Sequence, residues 1–205
     1  MEIGRQSARK SVTQVSIPPT PSPIGSIRPY PAQYQWEWKL KDGTPVTIRP
    51  IRPEDEPLMV RFHATLSERS VYLRYFCTLS LSSRVEHERL VRICFASYDR
   101  GFALVADYKN PETGEHEVLG VGRFSAITRV EAEAAVLVSD RWHGLGLGTE
   151  LLAKVVQVAR EEKYERLSGE ILRDNLPTEA IFKKVGFKLR AMDDPSSLSA
   201  ELELQ

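Results

Sequence analysis

Three glycines at alternate positions, Gly144, Gly146 and Gly148, separate an apolar segment from a long amphipathic one. The pattern of residues 133–139 predicts a buried strand, and the apolar residues at helical spacing in 146–163 predict a helix. The first turn of a helix leaves N–H groups unpaired and carries a partial positive charge. Because glycine has no Cβ, an anion can reach these amides, so the joint predicts a site for a phosphate or diphosphate. The alternative explanation is a plain turn, or close packing between strand and helix.

Two familiar phosphate-binding motifs do not fit this loop. A P-loop requires Gly-Lys-Ser/Thr, whereas Gly148 is followed directly by Thr149. The dinucleotide fingerprint has the spacing Gly-x-Gly-x-x-Gly in a first strand–helix–strand unit, whereas here the spacing is Gly-x-Gly-x-Gly and predicted hairpins precede it. The glycines therefore indicate a different kind of phosphate-binding loop.

The remaining pattern predicts an α+β (mixed α/β) domain. Helices follow Pro53, turns at Asp42-Gly43 and at 110–114 separate strands, and a helix is predicted at 178–184. The predicted strands are 46–51, 101–107, 118–124, 133–139, 166–172 and a final strand at 186–190. Because the helices precede the hairpins and a single strand–helix–strand unit follows, we expect a mostly antiparallel sheet flanked by helices, not a doubly wound one.

Proline is concentrated at the start of the chain, where ten of the 13 prolines fall within residues 1–57. Proline lacks an N–H and fixes φ, so this segment cannot form a helix or a central strand. We therefore predict a Pro-rich tail and linker at 1–43, with residues 1–26 mobile, a domain at 44–191 and a C-terminal tail at 192–205. The rings of four residues are expected to pack the linker onto the domain: Tyr30, Tyr34, Trp36 and Trp38.

Charge and cysteine content exclude several classes of protein. Lys+Arg and Asp+Glu each number 28, which argues against binding of nucleic acid or an anionic membrane through a basic excess. The chain has no apolar run near the ~20 residues needed to cross a bilayer. Cys77 and Cys94 are too few for a disulfide scaffold or a four-cysteine zinc site, and we expect buried, reduced thiols in the cytoplasm. No metal site is expected, since metal-ligand spacing is absent from His63, His87 and His116.

The glycine loop resembles the signature of the GNAT family of N-acetyltransferases, Gln/Arg-x-x-Gly-x-Gly/Ala. His143 takes the first position of that signature, and Gly146 and Gly148 match its two glycines. The family also has an Asn after the next strand, followed by a helix and Gly-Phe, here Asn175 and Gly186-Phe187. The resemblance covers residues 44–190 and implies the GNAT fold with an acyl-CoA cleft.

This resemblance also implies the ligand and the residues that hold it. The co-substrate would be acetyl-CoA, with no metal. The loop amides would hold its diphosphate, and main-chain N–H groups at the end of the strand would face the thioester carbonyl. The residues expected to bind it are Leu137, Val138, His143, Gly144, Leu145, Gly146, Gly148, Thr149, Asn175 and Phe182.

Three of these side chains have alternative roles. His143 would contact a phosphate or remain solvated at the entry to the helix. Asn175 would bond the pantetheine amide or only cap the following helix. Phe182 stands where many GNAT enzymes have a tyrosine that protonates the departing sulfur. Because phenylalanine cannot donate a proton, we expect Phe182 to pack against the pantetheine arm or in the core.

Residues 48–55 and 66–76 are similar to the acetyltransferase part of bacterial Pat-type protein lysine acetyltransferases. Those proteins often join this domain to an acyl-CoA synthetase-like portion, and residues 27–31 look like the joint. At 205 residues the chain is expected to lack that portion and any sensor domain. The resemblance implies a protein lysine acceptor, with an acyl-CoA synthetase as a candidate. A small-molecule amine, or a non-catalytic acyl-CoA sensor, are the alternatives.

The expected reaction requires a base. A lysine ammonium has a pKa of about 10.4 and must lose a proton before its nitrogen can attack a thioester. Glu133 occupies the place of a glutamate in the Glu-x-Ala-x-x-Val pattern of Pat-type sequences, and strand alternation puts Glu133, Ala135 and Leu137 on one face. We predict Glu133 as the base. The alternative is a solvated acid at a strand end, and the other candidate carboxylates are Glu117, Glu131 and Glu170.

Overall fold

A single sheet of eight strands forms the centre of the computed structural model, which describes residues 29–94 and 101–204. The predicted mobile segment 1–26 lies outside the described residues. The strands are β1 (Trp36–Lys39), β2 (Pro45–Pro50), β3 (Gly101–Lys109), β4 (His116–Ala126), β5 (Glu131–Val138), β6 (Arg166–Leu172), β7 (Lys188–Ala191) and β8 (Ser197–Glu203). The helices are α1 (Glu56–Ala64), α2 (Glu68–Tyr75), α3 (Leu81–Arg84), α4 (His87–Cys94), α5 (Leu147–Glu161) and α6 (Leu176–Val185).

The strand order is β1-β2-β3-β4-β5-β6-β8-β7. Neighbouring strands are antiparallel throughout, except for the parallel pair β5–β6. Helix α5 makes the connection between these two parallel strands. The prediction of a mixed, mostly antiparallel α+β sheet is confirmed.

The sheet extends beyond the limits predicted for the domain, 44–191. Strand β1 pairs with β2, and β8 lies between β6 and β7, so residues assigned to the two tails are part of the sheet. The prediction that the strand at 186–190 is the last one is wrong, because β8 follows it. Strand β8 was missed because its sequence, SLSAELE, has short and mostly polar side chains and little apolar alternation.

Apolar side chains pack on both faces of the sheet. The face that carries α5 and α6 buries Leu151, Val155 and Phe182, and the opposite face buries Met59, Phe62 and Leu90 from α1 and α4. Glycines in β4 allow α5 to lie close to the sheet, because a Cβ at Gly120 would stand 2.9 Å from Leu151 Cδ1. This close contact fixes the N-terminus of α5 beside the end of β5.

The aromatic residues before β2 attach the first hairpin to the core, as predicted. The ring of Tyr34 is buried, and the rings of Trp36 and Trp38 are half-buried against the same core. Tyr34 donates a hydrogen bond to Glu162 Oε1 at 3.2 Å, and Tyr30 donates one to Pro50 O at 3.1 Å. Burial and the Glu162 carboxylate raise the pKa of Tyr34 to about 12. Within the described residues, no helix is long and apolar enough to cross a membrane.

Candidate active site

A cleft opens where β5 and β6 stop pairing. The two parallel strands pair at three positions, the last of which joins Glu133 to Ser168. Beyond that position each strand continues, to Val138 and to Leu172, but in the described structure the two strands no longer pair with each other. The gap forms a cleft of about 630 Å³, lined by residues of α2, β5, α5 and α6. The separation of the strands therefore opens the sheet and leads to the N-termini of two helices, α5 and α6.

The glycine loop closes one end of this cleft. Gly144 and Gly146 have φ of 77° and 88°, a left-handed conformation that favours glycine, and Gly146 is the residue immediately before α5. A Cβ at Gly144 would project into open space, with no atom within 4 Å. The loop thus leaves room for a ligand beside the unpaired amides of the first turn of α5, as a diphosphate requires. Thr149 lies in that turn and also lines the cleft.

Two residues of the predicted loop have structural explanations. Gly148 lines the cleft and also packs closely against α6, since a Cβ there would lie 2.8 Å from Ile181 Cδ1 and the end of that side chain would have to move. Leu145 is not among the residues that line the cleft. Its side chain packs against the core and its carbonyl accepts a hydrogen bond from Lys41 N at 3.1 Å. Neither contact involves the Leu145 N–H, so the predicted contact of this residue with the ligand stays a prediction.

The His143 side chain folds back onto β5. Its Nε2 donates a hydrogen bond to Val138 O at 2.9 Å. The residue is nevertheless exposed at the entry to α5, in line with the second predicted role, and contact of His143 with a phosphate stays a prediction. His143 still lines the cleft, and it ties the glycine loop to the end of the strand.

Strand alternation determines which main-chain amides face the cleft. Ser139 N donates to Leu119 O, and the register between β4 and β5 is unbroken. In an antiparallel ladder every second residue bonds to the partner strand. The Leu137 N–H is therefore directed at β4, and the Val138 N–H points to the other side, where β5 no longer pairs with β6. The prediction that both amides face the thioester is corrected for Leu137 and remains a prediction for Val138.

Glu133 lies at the point where the strands separate, and its side chain is exposed to the cleft. Ala132 and Ala134 face the core on the α5 side, whereas Ala135 and Leu137 line a small cavity on the opposite face. The predicted alternation is thus confirmed, and Glu133 shares the face of the sheet on which α2 lies.

The structure reduces the set of candidate carboxylates. Glu131 is paired with Arg166, Glu117 is paired with Arg141 at 2.6 Å, and neither lines the cleft. Glu170 is exposed on β6 and does line it. Among the described residues, the two glutamates that line the cleft are therefore Glu133 and Glu170, and Glu133 is the one at the separation of the strands.

Arg74, on α2, lies beside Glu133. Burial and the neighbouring Arg123 guanidinium lower the pKa of Arg74 to about 10, while the Glu133 carboxylate favours its charged form. Arg74 is still a cation at neutral pH. It lines both the cleft and the small cavity that Arg123 shares. The carboxylate of Glu133 therefore lies within electrostatic range of a positive charge on α2.

Asn175 and Phe182 complete the wall formed by α6. Asn175 Oδ1 accepts a hydrogen bond from Thr178 N at 3.3 Å, so the side chain caps α6, and it also lines the cleft. Phe182 is buried against Phe187, with ring centroids 4.7 Å apart, and one edge of it reaches the cleft. No tyrosine of the described residues lines the cleft. Tyr72 is exposed on α2, and Tyr164 packs against Phe124.

Lys41 and Asp140 are among the residues lining the cleft that sequence reasoning missed. Lys41 reaches the glycine loop from the turn between β1 and β2, and Asp140 accepts hydrogen bonds from Ser67 and Ser70 of α2. Each contact joins residues more than 65 positions apart. The Asp-Gly turn predicted the bend beside Lys41 but gave no signal of what the bend contacts.

The remaining reactive side chains lie away from the cleft. Cys94 is buried, and burial with the nearby Asp55 and Glu56 carboxylates raises the pKa of its thiol to about 12. Cys77 is exposed, which corrects the prediction that both thiols are buried. Within the described residues, His, Cys, Asp and Glu side chains form no group of three suited to a metal ion.

Comparison with known proteins identifies the fold and the family. The family described as acetyltransferase (GNAT) domain matches residues 46–188. An acetyltransferase of Pseudomonas aeruginosa is 30% identical over 133 residues, which cover 64% of this chain and 69% of that protein. The GNAT domain of PAT from S. lividans superposes with a TM-score of 0.76 at 26% identity, covering 86% of this chain and all of that domain.

A more distant structure shares the fold. RimJ of Mycobacterium smegmatis, solved in complex with CoA-disulfide, has a TM-score of 0.64 at 17% identity and covers 82% of this chain and 86% of its own. The family match spans the sheet from β2 to β7, with the cleft and the glycine loop inside it. The chain therefore belongs to the GNAT family and is an N-acetyltransferase that acts with an acyl-CoA donor.

Proposed function

We propose that the protein transfers the acetyl group of acetyl-CoA to the ε-amine of a lysine in another protein, with Glu133 as general base. The observation that carries this proposal is the position of Glu133. Its carboxylate stands where β5 and β6 separate, in the same cleft whose far end is the glycine loop. A donor held at the loop and an acceptor entering past α2 would meet beside this carboxylate.

Different residues of the cleft would bind the donor and remove the proton. Amides of the glycine loop and the N-terminus of α5 would bind the diphosphate, and the Val138 N–H would face the thioester carbonyl. Acetyl-CoA supplies an activated acyl group. Glu133 would accept a proton from the incoming ammonium, directly or through water, so that the nitrogen can form the new N–C bond as the C–S bond breaks. The second proton that the nitrogen loses would pass through solvent to the departing thiolate. The CoA thiol, with a pKa of about 8.5, can depart as the thiolate. The reaction therefore does not require a proton donor at the position of Phe182.

The mouth of the cleft supports a macromolecular acceptor. Phe76 lines the cleft and Tyr72 lies on the same helix, and both rings are exposed, at 39% and 44%. Arg69 and Asp174 form an exposed ion pair at the rim, with 3.6 Å between nitrogen and oxygen. Exposed aromatic side chains and arginines are enriched where proteins bind one another. The resemblance to Pat-type enzymes adds an acyl-CoA synthetase as a candidate acceptor.

The two cysteines bear on the location of the enzyme. Both are free thiols, and thiols remain reduced in the cytoplasm. We therefore include a cytoplasmic location in the proposal.

The proposal is tested by incubating the protein with labelled acetyl-CoA and a cell-extract proteome. Wild type should label polypeptide bands. Glu133→Gln should reduce this labelling by about 10²–10⁴-fold, the usual contribution of a general base, because the amide cannot accept the proton. Calorimetry should show unchanged affinity of Glu133→Gln for CoA.

Glu170→Gln is the matched control, since it removes the other glutamate of the cleft and should retain activity within about threefold. A Glu133→Gln enzyme with a rate within a few fold of wild type would refute the role of Glu133. Label found only in small metabolites would refute the protein acceptor.

A further inference from the structure

Lys41 lies directly on the glycine loop. Its backbone N–H donates to Leu145 O at 3.1 Å, and its Nζ stands 3.5 Å from Gly144 O. A Cβ at Gly146 would lie 3.6 Å from Lys41 Cε and 3.6 Å from Trp38 Cη2. The turn between β1 and β2 therefore lies on the loop, and its backbone bond holds the main chain of the exposed Lys41 where the ammonium can reach the loop.

Lys41 is the cation in the best position for a phosphate. Four basic side chains of the described residues line the cleft: Lys41, Arg69, Arg74 and His143. Arg69 pairs with Asp174, Arg74 stands beside Glu133, and the His143 ring bonds to Val138 O. The Nζ–O distance of 3.5 Å to Gly144 is long for a hydrogen bond, so the ammonium is only weakly engaged by the protein.

We propose that Lys41 is an ionic ligand of the diphosphate of the acyl-CoA donor. The inference rests on the proposed function, since it assumes that the loop holds that diphosphate. The loop amides and the α5 dipole supply only partial positive charges. The Lys41 ammonium near Gly144 adds a full positive charge, which would attract the negatively charged diphosphate. Because a lysine ammonium acts as a point charge, its contribution requires proximity rather than a fixed bonding geometry.

Calorimetric titrations with CoA and with 3′-dephospho-CoA test this assignment. Lys41→Gln keeps a polar side chain with an N–H donor, one atom shorter than lysine, but removes the charge. It should weaken the binding of both ligands by roughly tenfold, the range of one charge-assisted hydrogen bond. Lys41→Arg should restore affinity to within about threefold, and the difference between wild type and Lys41→Gln should shrink at high salt.

Lys39→Gln is the matched control, because Lys39 is an exposed lysine of β1 outside the cleft and its loss changes the net charge equally. It should bind both ligands as wild type does. Wild-type affinity in Lys41→Gln would overturn the proposal, as would a loss confined to CoA, which would assign the contact to the 3′-phosphate. An affinity loss with a lowered melting temperature that Lys41→Arg does not restore would also overturn it. Failure of the wild type to bind CoA would instead refute the proposed function.

Discussion

Asp140 Oδ1 accepts a hydrogen bond from Ser67 Oγ at 2.6 Å, so a carboxylate just before the glycine loop holds the residue that caps the N-terminus of α2. Asp140 Oδ2 also accepts from Ser67 N at 3.0 Å, and Ser70 Oγ donates to Oδ1 at 2.8 Å. Helix α2 forms the wall of the cleft above Glu133, whereas Asp140 belongs to the chain that leads into the loop. These bonds therefore join the acceptor side of the cleft to its donor side.

Asp140→Asn should destabilise the protein in a pH-dependent way. Burial favours the protonated acid, but the hydrogen bonds from Ser67 and Ser70 outweigh it and hold the pKa of Asp140 below its usual value. A carboxyl whose pKa is lower in the folded state stabilises the fold at pH above its unfolded pKa of about 3.9, and this stability is lost as the pH falls through the folded pKa. Urea unfolding should show a cost of about 1 kcal/mol at pH 7, because solvent screens these partly exposed bonds.

The cost of Asp140→Asn should shrink as the pH falls from about 5 to about 3. Asp174→Asn provides the comparison, since it also removes a carboxylate at the cleft but breaks only the exposed pair with Arg69. Its cost should be close to zero at both pH values. A cost of Asp140→Asn that is equal at the two pH values would contradict this role of Asp140.

Gly148 and Ile181 should be energetically coupled. A Cβ at position 148 would meet Ile181 Cδ1 at 2.8 Å, and Ile181→Val removes that atom. Each single change, Gly148→Ala and Ile181→Val, is expected to cost about 1 kcal/mol, through overpacking and through lost burial respectively. The double variant should be more stable than the sum of the two by at least about 0.5 kcal/mol, as measured by denaturant unfolding. Simple additivity would show that the contact does not explain this glycine.

Arg49 should be essential for stability rather than for catalysis. Its guanidinium is buried, with nitrogens 2.7 Å from an oxygen of Asp55 and 3.0 Å from one of Asp107, away from the cleft. Arg49→Leu leaves two buried carboxylates without their cation, at an expected cost of about 3–5 kcal/mol in unfolding free energy. Arg61→Leu, at an exposed position on α1, should cost less than about 0.5 kcal/mol. Equal costs for the two variants would contradict this account.

Local signals in the sequence predicted the centre of the fold well. The strand at 166–172 has the predicted bounds, and the predicted helix at 146–163 corresponds to α5. Both segments have strong apolar periodicity, and glycines mark the start of α5. The long strand–helix–strand unit that contains the loop was therefore within reach of pattern reasoning.

Contacts between distant parts of the chain account for what was missed. The place of β8 between β6 and β7 depends on pairing, for example of Arg166 with Glu203, which no local pattern encodes. Lys41 and Gly144 are 103 positions apart. The direction of the Leu137 amide depends on the register with β4, which hydrogen bonding sets only in the folded sheet.

The central claim is that main-chain amides at the start of α5 hold the diphosphate of the donor. A titration of the ¹⁵N-labelled protein with CoA, followed by amide-resolved NMR, tests this claim most directly. The largest shifts should fall on the amides of residues 144–149, because charged acceptors polarise the N–H groups that they contact. Saturable shifts elsewhere with these amides unchanged, or no shifts at millimolar CoA, would contradict it.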